Sequence, residues 1–153
     1  MKIKSYLPIF FSLFLMSCSS TRQSTQEPNY SIKNIPPGQC RIVASVIKID
    51  STLSVGNKND PCSKAPCTAW IKVKNIVGYG AGSAALSPSD TLKAKFAFTL
   101  NPTTKKNFPT LKEKLPGLEQ GSSFIADVQL LPSIQANNKK EKVFLIYSYT
   151  KIK

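Results

Sequence analysis

Histidine is absent from all 153 residues. That removes the commonest general base and the commonest metal ligand together, so no Ser-His or Cys-His nucleophile can be assembled. Acidic residues are scarce: 8 Asp and Glu stand against 21 Lys and Arg, a formal net charge of +13. Asp50, Asp60, Asp90 and Asp127 are scattered through the chain, so no carboxylate pair is suggested for acid–base work. Glycine is sparse, and Gly78-x-Gly80-x-Gly82 leads into a Ser/Ala stretch rather than a helix, which argues against a phosphate-cradling loop. Cys62 and Cys67 are separated by four residues with no histidine nearby, too few ligands for tetrahedral zinc and not the Cys-x-x-Cys redox spacing. Together these gaps argue against an enzyme and imply neither a metal nor a cofactor. The longest apolar run, Tyr6 to Met16, is about half of the ~20 residues that a spanning helix needs.

What is present begins with that run. Lys2 and Lys4 precede it, Pro8 and Ser12 interrupt it, and Leu15-Met16-Ser17-Cys18 closes it. A short basic segment, an apolar segment and a small residue before a cleavage point make a secretory leader. An ordinary leader would show an Ala-x-Ala-like site, which Ser17-Cys18 fits less well. The four residues resemble the lipobox of bacterial lipoproteins, with Met16 slightly off pattern. The resemblance implies that Cys18 is diacylated, that residues 1–17 are removed and that Cys18, as the new N-terminus, is acylated a third time. Three acyl chains exceed what stable anchoring needs, so a lipid bilayer is the first expected partner. Residues 18–38 then read as the lipidated N-terminus and a tether. Ser19 to Asn29 carries no apolar residue and cannot offset the entropy of ordering. Its lack of acidic residues beside Cys18 leans towards an outer-membrane protein facing the periplasm.

Residues 39–153 alternate like a small β domain. Cys40 to Asp50 is a first strand, with Ile42, Ala44 and Val46 on one face until the phase slips at Ile47 and Ile49, as a β-bulge would cause. In Cys67 to Val77, Ile71, Val73 and Val77 point in while Trp70, Lys72 and Lys74 point out. Thr91 to Leu100 places Leu92, Ala94, Phe96, Phe98 and Leu100 inward and Lys93, Lys95 and Thr99 outward. Thr110 to Leu115 suits one or two helical turns stopped by Pro116-Gly117. Phe124 to Leu131 is a fourth strand, with Phe124, Ala126, Val128 and Leu130 inward. Val143 to Ile152 is a fifth, apolar on both faces, with Val143, Leu145, Tyr147 and Tyr149 on one and Phe144, Ile146 and Ile152 on the other. Five strands, a bulged first strand and a short helix between strands three and four resemble the OB architecture, a small mainly β barrel. The competing arrangement is an immunoglobulin-like or transthyretin-like sandwich.

Three cysteines remain after Cys18. Cys40 and Cys67 open successive antiparallel strands and so fall at opposite ends of the pair. Cys62 and Cys67 share one turn-rich loop, which favours a Cys62–Cys67 disulfide and leaves Cys40 as the odd thiol. The OB resemblance implies a ligand face on strands two and three, which carries Trp70, Lys72, Lys74, Lys93 and Lys95. An aromatic among lysines offers stacking plus charge. The expected role is therefore a membrane-anchored, non-catalytic binding or structural module of the cell envelope. Its partner would be an anionic glycan or another envelope protein, with nucleic acid less favoured. An exported redox or enzymatic accessory using Cys62 and Cys67 is the competing class.

Overall fold

The computed structural model describes residues 34–55, 57, 60–106, 108, 109, 111, 114–132 and 142–153. The leader, Cys18 and nearly all of the tether expected from the sequence lie outside them. The described chain forms β1 (Gln39–Asp50), a single 3-10 turn (Pro61–Ser63), β2 (Thr68–Tyr79), β3 (Thr91–Phe96), β4 (Ser123–Leu130) and β5 (Val143–Ile152). The strands close into one barrel in the order β1-β2-β3-β5-β4. All neighbours are antiparallel except β3 and β5, which run parallel from Lys93 opposite Val143 to Phe96 opposite Ile146. One sheet closing on itself is the expected OB-like barrel and not a two-sheet sandwich.

Period-two alternation builds the interior. Ile42, Ala44 and Val46 of β1, Ala69, Ile71 and Val73 of β2, and Leu92, Ala94 and Phe96 of β3 are all buried. Phe96, Phe124 and Tyr149 pack edge to face, with ring centroids 5.9 to 6.2 Å apart. Full burial of each such side chain contributes roughly 1.5–3 kcal/mol before entropy is counted.

Bulges decide where the alternation changes phase. The β1–β2 register shifts between Val46 and Lys48, so Ile47 is turned outward, 39% exposed, while Ile49 packs on the core. Two more shifts follow along β2. Ala44 faces Val73 but Val43 faces Asn75, and Ile42 faces Ile76 but Arg41 faces Gly78. Ile76, rather than the expected Val77, therefore packs against the core. In β5 another shift sets Val128 opposite Ile146 and Ala126 opposite Tyr149, which swings Tyr149 inward and leaves Tyr147 62% exposed.

One further expectation is corrected after β3. The strand ends at Phe96, so Thr99 is buried and Phe98 only half-buried against Phe108. Burial is tolerable for Thr99 because its hydroxyl donates to the Asn101 carbonyl. No helix lies between β3 and β4 among the described residues, although Thr110, Lys112 and Glu113 fall outside them. Leu115 is held to Thr103 at two points. Its amide donates to the Thr103 hydroxyl at 2.8 Å and its carbonyl accepts the Thr103 amide at 3.0 Å. That reciprocal clasp ties the segment before β4 to the one after β3.

Candidate functional site

The outer face of β2 and β3 is set by cross-strand pairing. Trp70 faces Lys93 of β3 on one side and Lys48 of β1 on the other. The next row is Asp50, Thr68 and Lys95; on the opposite side Lys72 faces Ser45 and Thr91. Paired residues project to the same side of a sheet, so the row Lys48–Trp70–Lys93 lies on the outside, opposite the inward row of partly buried Ile49 and buried Ala69 and Ala94. Trp70 is 36% exposed. Four of the five residues expected on this face are thus near neighbours: Trp70, Lys72, Lys93 and Lys95. Lys74 is drawn elsewhere. It is the residue passed over at the β1–β2 register shift, and its ammonium donates to the Ser123 hydroxyl of β4 at 2.9 Å.

Lys48 and Asp50 were not expected here. The bulge at Ile47 brings Lys48 into line with Trp70, and the only trace of it in the sequence is the phase slip in β1. Asp50 is held below its usual carboxylate range, first by hydrogen bonds from the Thr52 side chain and amide, then by the pull of Lys93 and Lys48.

Trp70 stands between two grooves. One, of about 600 Å³, lies towards the β1–β2 loop and is lined by Lys48, Asp50, Ser51 and Thr52. The other, of about 420 Å³, lies towards β5, with Leu86, Leu92 and Phe144 in its lining and Lys93, Lys142 and Asp90 among its polar groups. The first has hydroxyls and a carboxylate; the second has a largely buried apolar base with charges around it.

The loop that borders the first groove is fixed at several points. Cys62 and Cys67 are disulfide-bonded, with Cα atoms 5.4 Å apart, as expected from their spacing. The Asp60 carboxylate accepts the Cys62 amide and caps the 3-10 turn. The Ser54 amide donates to the Cys62 carbonyl at 2.9 Å, which ties the segment after β1 to the disulfide. Between the two cysteines, the Lys64 ammonium lies 5.6 Å from the Phe108 ring centre, a cation–π contact.

Cys40 is a free thiol, buried in the core and far along β1 from this loop. Among the described residues no three Cys, Asp or Glu side chains gather as a metal site. No helix among them is long and apolar enough to cross a membrane. No family model, curated protein or solved structure matches this chain.

Proposed function

We propose that this chain is a bacterial envelope lipoprotein, anchored through acylated Cys18, whose barrel is a non-catalytic module that binds an anionic or glycan ligand. The observation that carries the binding half is the row Lys48–Trp70–Lys93, an aromatic flanked by cations with a groove on either side. An indole supplies a stacking platform and ammonium groups supply charge, and strands two and three are where OB-type barrels commonly engage chain ligands. The anchoring half is supported by Leu15-Met16-Ser17-Cys18. A disulfide in the barrel fits an oxidising compartment such as the periplasm. A tether that ends at the outer membrane would hold the barrel facing the periplasm.

The absence of histidine supports a non-catalytic role. The sulfurs of Cys62 and Cys67 belong to residues only 6% and 4% exposed, which gives a redox accessory role no accessible centre.

Binding to an acidic glycan is measured against salt. Affinity should fall several-fold between low and physiological ionic strength, where the screening length shrinks to about 8 Å. Exchange of Lys48 and Lys93 for Gln should weaken binding and flatten that dependence with the fold unchanged. Fatty-acid labelling of the wild type and its loss in Cys18→Ala tests the anchor; labelling that persists in Cys18→Ala rejects it.

A further inference from the structure

We infer that the ligand is an extended, sparsely acidic oligosaccharide that lies across the strands, from the β1–β2 loop to β5, with Trp70 under one of its middle rings. This rests on the reading of the Trp70 face as the binding surface and narrows it to one ligand chemistry.

Direction comes first. Lys48, Trp70, Lys93 and Val143 are register partners on four adjacent strands. At the ~4.8 Å spacing of neighbouring strands this row is about 14 Å long. Trp70 lines both grooves, one with residues of β1 and the loop after it, the other with residues of β3 and β5. A ligand that fills both must be elongated and must cross the strands rather than follow them.

The single aromatic separates sugar from nucleic acid. A single strand of nucleic acid is held by stacking successive bases on successive aromatic side chains. Along this row the neighbours of Trp70 are lysines and a valine, so only one ring can be stacked. A pyranose needs only one, because its polarised C–H face lies against the negative face of an indole.

The carboxylates point the same way. Asp50 lines one groove and Asp90 the other. Negative groups on both sides of the platform repel a chain with a phosphate at every unit. They accept hydrogen bonds from sugar hydroxyls. Ser51 and Thr52 add hydroxyls to the first groove.

Charge spacing sets the acidity. Lys48 and Lys93 are separated by two strand spacings, about 10 Å between their backbones. A sugar ring in an extended chain advances by about one strand spacing, so acidic groups on alternate rings meet these two cations. The grooves differ accordingly. The one with Asp50, Ser51 and Thr52 suits a hydroxyl-rich ring. The one with Leu86, Leu92 and Phe144 suits a ring that presents an apolar face or a small apolar substituent such as an acetamido methyl.

The test is calorimetric titration of the full-length protein in detergent with hyaluronan oligosaccharides of two, four and six rings. These alternate an acetamido sugar with a uronic acid. Chitotetraose and a short oligothymidylate serve as neutral and polyphosphate comparisons. Affinity should rise about tenfold from the disaccharide to the tetrasaccharide, then level off, and should exceed that of both comparisons. Trp70→Ala should lose roughly tenfold or more, the size of one stacking contact. Trp70→Phe should lose less, and circular dichroism checks both folds. Ala85→Leu, at an exposed position in the second groove, should weaken the tetrasaccharide and spare the disaccharide. Oligothymidylate binding as tightly as the tetrasaccharide, or affinity that ignores chain length, overturns the oligosaccharide inference while leaving a charged binding face in place. No binding of any probe at low salt overturns both.

Discussion

Arg41 and Asp127 form a two-pronged ion pair across the seam between β1 and β4: Nε donates to Oδ1 at 2.6 Å and Nη2 to Oδ2 at 2.7 Å. The two residues are register partners, and their side chains are about four-fifths covered. A planar guanidinium facing a carboxylate fixes orientation as well as charge. A one-residue slip of this seam would put the pair on opposite faces of the sheet, so the fork also selects the register.

Asp127→Asn should lower stability by about 1 kcal/mol and Asp127→Ala by about 1–2 kcal/mol, the range for a good charge-assisted pair that is partly covered. Urea unfolding of Asp127→Ala, Arg41→Ala and the double variant checks this. The double variant should cost less than the sum of the singles. Strict additivity would mean that the pair contributes nothing of its own.

Cys40 should make the fold sensitive to alkali. Burial pushes its thiol up to about 11, and the Asp127 carboxylate adds to the rise. A free thiol in the unfolded chain ionises near 9.0. With the folded value above the unfolded one, the contribution is complete below about pH 9 and is lost as pH climbs towards 11. Unfolding midpoints measured from pH 8 to 11 should fall more steeply for the wild type than for Cys40→Ala. Equal slopes would remove Cys40 as the cause. At pH 8 the native thiol should resist Ellman's reagent and react only after denaturation.

The disulfide closes a short loop. Replacing both Cys62 and Cys67 with Ala should therefore cost about 2 kcal/mol, the low end for native bridges. Non-reducing peptide mapping should recover the Cys62–Cys67 link with Cys40 unpaired. A bridge from Cys40 to either partner would contradict both the pairing and the β1–β2 register.

Gly117 should be harder to replace than Gly121. Both have positive φ, +76° and +85°. A Cβ at Gly121 meets open space, whereas one at Gly117 falls 2.6 Å from Pro102. Gly121→Ala should cost about 1–2 kcal/mol from backbone strain alone. Gly117→Ala should cost clearly more, and thermal unfolding gives the order.

The strands were legible because a closed barrel with one wet face writes a period of two into the chain. Leu92, Ala94 and Phe96, and Phe124, Ala126 and Val128, kept that period and are all buried as expected. The disulfide was legible because Cys62 and Cys67 share one loop while Cys40 opens a different strand. Bulges were harder. One inserted residue exchanges the faces of everything after it, which moved Ile76 in for Val77 and turned Tyr149 towards the core. Only the β1 slip left a visible trace, because apolar residues there adjoin at Val46 and Ile47. The same slip brings Lys48 beside Trp70, so the flank of the candidate site supplied by β1 stayed hidden. The helical turns expected over Thr110–Leu115 fall largely outside the described residues; the hydrogen bonds that Leu115 makes to Thr103 leave no sign in the local pattern.

The parallel seam has a dynamic consequence. β3 and β5 touch only from Lys93 to Phe96 opposite Val143 to Ile146, the shortest run around the ring. Parallel ladders are slightly weaker per residue than antiparallel ones. Opening motions of the barrel should begin there, which makes these amides the first of the ring to exchange with deuterium. The same seam borders the groove that runs from Trp70 to Phe144. A ligand lying across β2, β3 and β5 would act as a clamp on the loosest join of the ring, so occupancy would be felt as slower breathing of the whole barrel.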